Sequence, residues 1–341
     1  MKEKATIYDI AKRLNISAAT VSRALNDHSK TSEKTKKLVL KTAEELGYEQ
    51  NRLALALKSG KSKNIGVIVP RIDSNFFGSI IRGIEEELQQ KGYHVMICQT
   101  HEKEEKQIEN INALLNAQVD GILLSVTKNT EDTSIFDRVL QKHTPLIFFD
   151  RKIEIKGVSS VTIDDFKGGY IATEHLIKQG CKHVAHLTAL GYQSVNIYQG
   201  RLEGYKQALK DYDIPFNEDL VIPVKNDLEG GKLAIETLLK LKQQPDAIFS
   251  SSDFMLLGGI QELKLRGINV PNDMAVVGFS NEPFTKFLET PISSVDQCPL
   301  EIGKYAAQVF LEQLDDPKTI KIEKNLILPP ELIIRQSSLK N

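Results

Sequence analysis

Apolar positions recur at helical spacing three times within the first fifty residues. Ile7, Ile10, Ala11 and Leu14 share one face of a helix predicted over 7–14. Thr6 stands where it can cap that helix, and Asp9, at the third helical position, can reach back as in a capping box. Asn15-Ile16-Ser17 makes a tight turn, and Ser17 can cap a second helix over 18–26. Val21 and Leu25 are its predicted inward residues, while Ala18, Ala19, Ser22 and Arg23 lie toward its exposed start. A third helix, capped by Thr31 or Ser32, carries Leu38, Val39, Thr42, Ala43 and Leu46 inward and ends at Gly47. Two short helices joined by a tight turn have helix-turn-helix spacing, and three helices suffice for a small core.

From Asn64 the period changes. Short apolar runs at 65–69, 95–98, 122–126, 146–149 and 161–163 read as buried parallel strands alternating with amphipathic helices. The first of those helices carries Phe77, Ile80, Ile81, Ile84 and Leu88 at helical spacing. A second series of strands follows at 184–187, 221–224, 247–249 and 275–279. Two doubly wound α/β lobes result. Such sheets bind ligands beyond the carboxyl ends of their strands, so two facing lobes make a cleft.

Composition agrees with several cores in one chain: 341 residues, 41% hydrophobic and 26% charged, hold material for two or three. No run of about 18 apolar residues is present to span a membrane, and the first six residues lack the apolar stretch of a signal peptide. The expectation is a cytoplasmic protein with no membrane partner. Cys98, Cys181 and Cys298 are odd in number and far apart, which argues against a disulfide framework and for buried, reduced thiols. The net charge of −1 hides a segregation: residues 1–63 hold fourteen basic side chains against seven acidic ones, leaving 30 against 38 for the rest. A basic module on an acidic body suits a protein that neutralises phosphates at one end only. A solvated basic tail would share the charge but not the helical periodicity.

In a helix-turn-helix the second helix enters the major groove, where its first side chains meet base edges and flanking Lys, Ser, Thr and Tyr hold phosphates. Arg23 can pair bidentately with guanine, whereas Ala18 and Ala19 offer only a methyl surface to thymine or room for a close approach. A generic protein-interaction module is the alternative reading of three helices. Residues 51–58 make about two helical turns, too short to be stable alone in water. In the body, Arg71, Asp73, Phe76 and Phe77 follow the first strand, where aromatic faces can stack on a sugar or other ring, although Phe77 suits the core as well. Asp150 ends the fourth strand. No dinucleotide fingerprint, P-loop, zincin helix or nucleophile elbow occurs, so no catalytic residue is expected. His175, His183 and His186 cluster in sequence, but Lys182-His183 opens a strand, and neither metal nor cofactor is expected.

Four stretches carry a family resemblance: Thr6-Ile7-Tyr8-Asp9-Ile10-Ala11, then Ala19-Thr20-Val21-Ser22-Arg23-Ala24-Leu25-Asn26, then Leu46-Gly47-Tyr48, then Asn51-Arg52 before an Ala/Leu-rich segment. By these the sequence resembles the LacI/GalR family of bacterial regulators along the whole chain. The resemblance implies a DNA-binding domain at 1–50, with Thr6, Tyr8, Ser17, Ala18, Ala19, Thr20, Ser22, Arg23 and Asn26 toward DNA. It implies a hinge helix and linker at 51–63 that order on operator, with Asn51 in the segment and Ala54 at the contact between paired hinge helices. Leu57 matches the leucine that wedges into the central base step, where an apolar side chain bends the duplex onto more protein surface. Residues 64–341 then form a type I periplasmic-binding-protein-like core: lobe 1 at about 64–162 and 293–320, lobe 2 at about 163–292 and 321–341. On that analogy the chain crosses between lobes three times, Ser293 to Gln297 returns to the first lobe, and C-terminal strands near 326–334 complete the second. Asp164-Asp165 falls at a crossover, where turn formation or hinge bonding outweighs catalysis. Arg201 matches the family arginine that contacts effector, and Asn226, Ser252, Asp253 and Gln297 fall at family pocket positions. One departure stands out: Gly278-Phe279-Ser280-Asn281 has Ser280 where an aspartate is usual, which weakens any claim for a purine or simple galactoside.

The expected fold is thus an N-terminal all-α helix-turn-helix domain plus an α/β core of two doubly wound lobes. The expected function is a homodimeric, sequence-specific transcriptional repressor of carbohydrate-use genes. Its partners are double-stranded operator DNA and a small sugar-like effector in the interlobe cleft, and no leucine-heptad tail for tetramers is expected. Two rivals remain. A solute-binding protein serving a transporter predicts a signal peptide and no basic helical module; a sugar-modifying enzyme on the same fold needs a catalytic constellation.

Overall fold

The computed structural model describes residues 5–26, 31–48, 60–315 and 323–340. Contacts divide the chain into a unit Met1–Ser62 and a unit Lys63–Asn341.

In the first unit, helix α1 (Ile7–Leu14) starts where the Asp9 carboxylate accepts from both the backbone N–H and the hydroxyl of Thr6, at 2.8 and 2.7 Å. An anion so placed meets the positive end of the helix. Asn15, left-handed at φ 50°, ends α1. Ser17 caps α2 (Ala18–Leu25) by accepting from the Thr20 N–H, and Ser32 rather than Thr31 caps α3 (Glu33–Glu45) by accepting from that of Thr35. Ile10, Val21 and Val39 are fully buried and form the centre of the core. Two inward assignments change. Ala24 is buried and Leu25 only partly so, while Leu38 is half exposed. The inward stripe of α3 runs Val39, Thr42, Ala43, and a helix turned to bury that set must point Leu38 outward.

The second unit is built on two six-stranded sheets. The first orders its strands β11-β5-β4-β3-β1-β2, all parallel: β1 (Asn64–Val69), β2 (His94–Gln99), β3 (Gly121–Leu124), β4 (Leu146–Phe149), β5 (Ser159–Ile163) and β11 (Asn325–Leu328). The second runs β12-β10-β9-β8-β6-β7, from β6 (Val184–Ala189), β7 (Val221–Val224), β8 (Ala247–Ser250), β9 (Ala275–Phe279), β10 (Ser293–Asp296) and β12 (Glu331–Ile333), with only β12 antiparallel. Central strands such as β3 and β8 are buried along their whole length, as parallel strands covered on both faces must be. Strand β2 departs from the expectation of burial, because it is an edge: Met96 is 39% and Ile97 50% exposed. Of the thiols, Cys181 alone is buried, with Cys98 and Cys298 half-buried.

The chain crosses between sheets after β5, after β10 and after β11. That corrects two assignments. Ser293 to Asp296 is a strand of the second sheet, paired with β9, and the return to the first lobe comes only with helix α11 (Pro299–Asp315), which packs on α4 (Asn75–Gln89). The C-terminal strands do not both complete the second lobe; β11 joins the first sheet beside β5 and β12 the second beside β10.

On the second lobe, α7 (Asp165–Lys178) crosses α8 (Asn196–Asp211) closely. A Cβ at Gly169 would stand 2.1 Å from the Arg201 carbonyl oxygen, and one at Gly204 2.0 Å from that of Phe166. Only hydrogen at those positions lets the backbones meet. Gly169→Ala is therefore expected to force the helices apart and lower the unfolding free energy by about 1–3 kcal/mol. The urea midpoint of the full chain checks this, and an unchanged midpoint would contradict the tight crossing.

Candidate functional site

In the first unit the start of α2 offers a polar, cationic surface. Ala19 and Arg23 are exposed, Ala18, Thr20 and Ser22 half-buried, and Ser17, Thr6 and Asn26 exposed around them. Tyr8 projects from α1 with 72% of its surface free. Arg23 Nε rests on the Ala19 carbonyl at 3.2 Å, and Asn26 Nδ2 on that of Ser22 at 2.7 Å, so both side chains lie along their own helix. The Ser17 and Thr20 hydroxyls share a 2.8 Å bond within the cap. Asn51, Ala54 and Leu57 lie outside the described residues.

In the second unit a cavity of about 590 Å³ opens at the carboxyl ends of both sheets. It collects Asp73, Phe76, Phe77 and Asp150 from one lobe, Arg201, Asn226, Ser252 and Ser280 from the other, and Gln297 from the second crossing. The chain turns left-handed just past several strand ends: Glu102 at φ 59°, Asp150 at 61°, Ser280 at 110° and Asn281 at 49°. Such values are unfavourable for side chains with a Cβ, and of these four residues Glu102, Asp150 and Ser280 line the cavity. Phe76 and Phe77 make an edge-to-face pair at 5.1 Å; both are buried and both line the cavity, so core and cleft roles coincide.

Arg201 is the most constrained of these groups, with 4% of its surface exposed. Its Nε donates to Asp165 at 2.8 Å, Nη1 to the Ser251 carbonyl at 2.9 Å and Nη2 to Gln297 Oε1 at 3.2 Å. The guanidinium plane stacks 3.7 Å from the Phe279 ring centre. Gln297 in turn donates to the Ser280 hydroxyl at 2.9 Å. Asp164 caps α7 through the Lys167 N–H, so the acidic pair at the first crossing serves a turn and a hinge bond. Burial pushes the Asp165 carboxyl up to about 6, with Arg201 pulling the other way.

Asp253 does not join the cavity. It is fully buried at the start of α10 (Asp253–Leu265), where its carboxylate accepts from the Glu282 N–H at 2.8 Å and the Ser294 hydroxyl at 2.7 Å. The side chain points back against Gly278, so it holds β9 and β10 together from behind the site. Several cavity groups escaped the sequence reading. Arg151 forks onto Glu102 with two 2.9 Å bonds and leans toward Asp150, which also accepts from Ser125 at 2.8 Å. Burial works to raise the Glu102 carboxyl, but the Arg151 fork outweighs it and holds the group below its ordinary value. Lys128, Tyr198, Phe254 and Glu282 line the same space. The available signal was position, since Glu102 and Arg151 stand just past the ends of β2 and β4. The three histidines go elsewhere: His175 bonds Ser338, His183 meets Gln243, and His186 stacks between Tyr205 and Phe249, where burial pulls it down to about 3.

Burial also pushes Asp253 up to about 7 from 3.8, more than its hydrogen bonds pull it down. A raised acid favours the fold fully only below about pH 4, and that advantage is lost as pH rises through 7. The stability of the chain relative to Asp253→Asn should accordingly fall between those limits, read by urea unfolding at several pH values. A difference independent of pH would mean that Asp253 stays ionised in the fold.

Among the described residues no helix is long and apolar enough to cross a membrane. The family model described as bacterial regulatory proteins, lacI family, matches residues 6–51. That described as periplasmic binding proteins and sugar binding domain of LacI family matches 62–333. The chain is 30% identical over 336 residues, 98% of each chain, to the HTH-type transcriptional regulator DegA of Bacillus subtilis (strain 168). It is 30% identical over 334 residues, again 98% of each, to the HTH-type transcriptional repressor PurR of Actinobacillus pleuropneumoniae serotype 3 (strain JL03). The solved complex of the transcriptional regulator CelR with cellobiose superposes with a TM-score of 0.73 at 26% identity, over 98% of this chain and 100% of that one. These relatives are regulators rather than enzymes, and both units are matched in their own right. The chain belongs to the LacI family of bacterial transcriptional regulators.

Proposed function

We propose that the chain is a cytoplasmic homodimeric repressor whose hold on operator DNA is set by a sugar-like effector in the 590 Å³ cavity. The observation that carries this reading is the reach of Arg201, which bonds Asp165 at the first lobe crossing and Gln297 at the second. A ligand that competes for or reinforces those bonds acts directly on the segments about which the lobes turn. Differential affinity for two lobe arrangements is all that an effector needs, and linkage makes its coupling to operator reciprocal. Four aromatic rings, Phe76, Phe77, Tyr198 and Phe254, suit a ligand with flat apolar faces, as sugars have. The CelR relative is a complex with a disaccharide. Exposed Met96 and Ile97 on the edge strand β2 favour a first-lobe dimer surface, which in a twofold dimer meets itself.

On DNA, the reading assigns Ala18, Ala19, Ser22 and Arg23 to base edges, and Thr6, Tyr8, Ser17, Thr20 and Asn26 to positioning contacts. Asn51, Ala54 and Leu57 keep the hinge roles that the resemblance implies. A gel shift on DNA upstream of the chain's own gene should give a specific complex that weakens as salt rises. Absence of any specific shift would count against operator binding. Arg23→Ala is expected to cost about 1–3 kcal/mol of specific affinity while leaving ligand binding unchanged. Arg201→Ala should remove the operator's response to effector and leave DNA binding intact; an undiminished response would take Arg201 out of the switch.

A further inference from the structure

The walls of the 590 Å³ cavity carry six acidic against four basic side chains. Almost all are already satisfied within the protein. Arg71 forks onto Asp73, Arg151 onto Glu102, and Arg201 holds Asp165. Asp227 and Glu229 pair with Lys225 and Lys232 outside the cavity. Lys128 rests 5.6 Å from the Tyr198 ring centre. Glu282 is the exception among the acids.

Glu282 stands three residues past β9, where the 3₁₀ turn Pro283–Lys286 begins. Its main chain is fixed, the N–H donating to Asp253 and the carbonyl accepting from the Thr285 hydroxyl. The residue is 5% exposed and its carboxyl oxygens keep contact with the open space of the cavity, where among the described residues the carboxylate accepts no hydrogen bond and makes no ion pair. Burial without a partner pushes that carboxyl above its ordinary value. A carboxylate without a partner in a largely buried side chain is poorly hydrated, and a ligand donor reaching it supplies the missing hydrogen bond. The nearby Ser280 hydroxyl accepts from Gln297.

An anionic ligand fits this wall poorly. Three of the four basic groups are spent on acids of the protein, so a phosphate or carboxylate would find only Lys128 free to answer it. A neutral ligand would leave the Glu282 charge without a counter-charge. A cation at Glu282 neutralises the unpaired charge through a charge-assisted hydrogen bond. Resting on the reading of this cavity as a sugar-effector site, we propose that the effector is an aminosugar whose protonated amine is held by Glu282. Glu282 thereby becomes the residue that separates amino from neutral sugars, while the aromatic rings and Arg201 serve both.

The test uses the full chain and matched ligand pairs that differ in one group: D-glucosamine against D-glucose, D-galactosamine against D-galactose, and chitosan disaccharide against cellobiose. Calorimetric titration is expected to show the amine of at least one pair binding about tenfold to a hundredfold tighter than its neutral partner. That comparison needs no variant and so does not depend on any substitution folding. In Glu282→Gln, whose unliganded melting temperature serves as the folding check, the affinity ratio of the amine to its neutral partner should fall to about one. Neutral sugars binding as well as or better than their amines would overturn the proposal and leave the sugar-sensor reading standing. An amine preference that survives in Glu282→Gln would remove Glu282 from the role. If neither series binds while operator binding persists, the sugar-sensor reading itself falls, and the aminosugar with it.

Discussion

A guanidinium buried as deeply as Arg201 must find an anion and oriented acceptors inside the protein, because an unpaired charge there is prohibitively costly. It finds them on three separate stretches of chain: Asp165 at the first crossing, the Ser251 carbonyl past β8 and Gln297 at the second crossing. Much of the cleft follows from meeting that demand. Asp165 is fixed at the start of α7, whose approach to α8 is set by Gly169 and Gly204. Gln297 passes the constraint on to Ser280, and the left-handed turn at Ser280 and Asn281 carries the chain toward Glu282. The result is a cavity whose floor is a hydrogen-bonded network rather than a set of independent side chains.

The network also explains how a small ligand can matter to a large structure. Most charged groups around the cavity are paired, so occupancy by a ligand changes few interactions, but those it changes lie on the crossings. The first lobe has its own version of the arrangement in Asp150, Arg151 and Glu102, and Arg201 lies close enough to act on the Asp150 charge. The helix-turn-helix unit follows a different economy: a small core centred on Ile10, Val21 and Val39 leaves the outer face of α2 free of packing duties.

How legible all this was depends on the range of the interaction involved. Caps act over three residues, so Thr6, Asp9 and Ser17 were readable and the cap of the third helix was narrowed to Thr31 or Ser32, while the apolar stripes placed all three helices. Central strands buried on both faces announce themselves as continuous apolar runs, but β2 produced the same signal at an edge. Strand-end logic brought out Asp73, Phe76, Phe77 and Asp150, and family resemblance brought out Arg201, Asn226, Ser252 and Gln297; all stand around one cavity. The same resemblance misplaced Asp253, because whether a carboxylate at a helix start faces the ligand or the neighbouring strand is decided by what packs behind it.

By itself, then, the sequence determined the element types, their order, the segregation of basic charge and the family, since each is written in local periodicity, in capping pairs or in contiguous motifs. Only the tertiary structure decided which sheet receives Ser293 to Asp296, how the C-terminal strands divide between lobes, and which acids of the cleft keep a partner. Hydrogen-bonding edges and buried charges choose partners across scores of residues, as Arg151 does with Glu102, and nothing local in the chain records that choice.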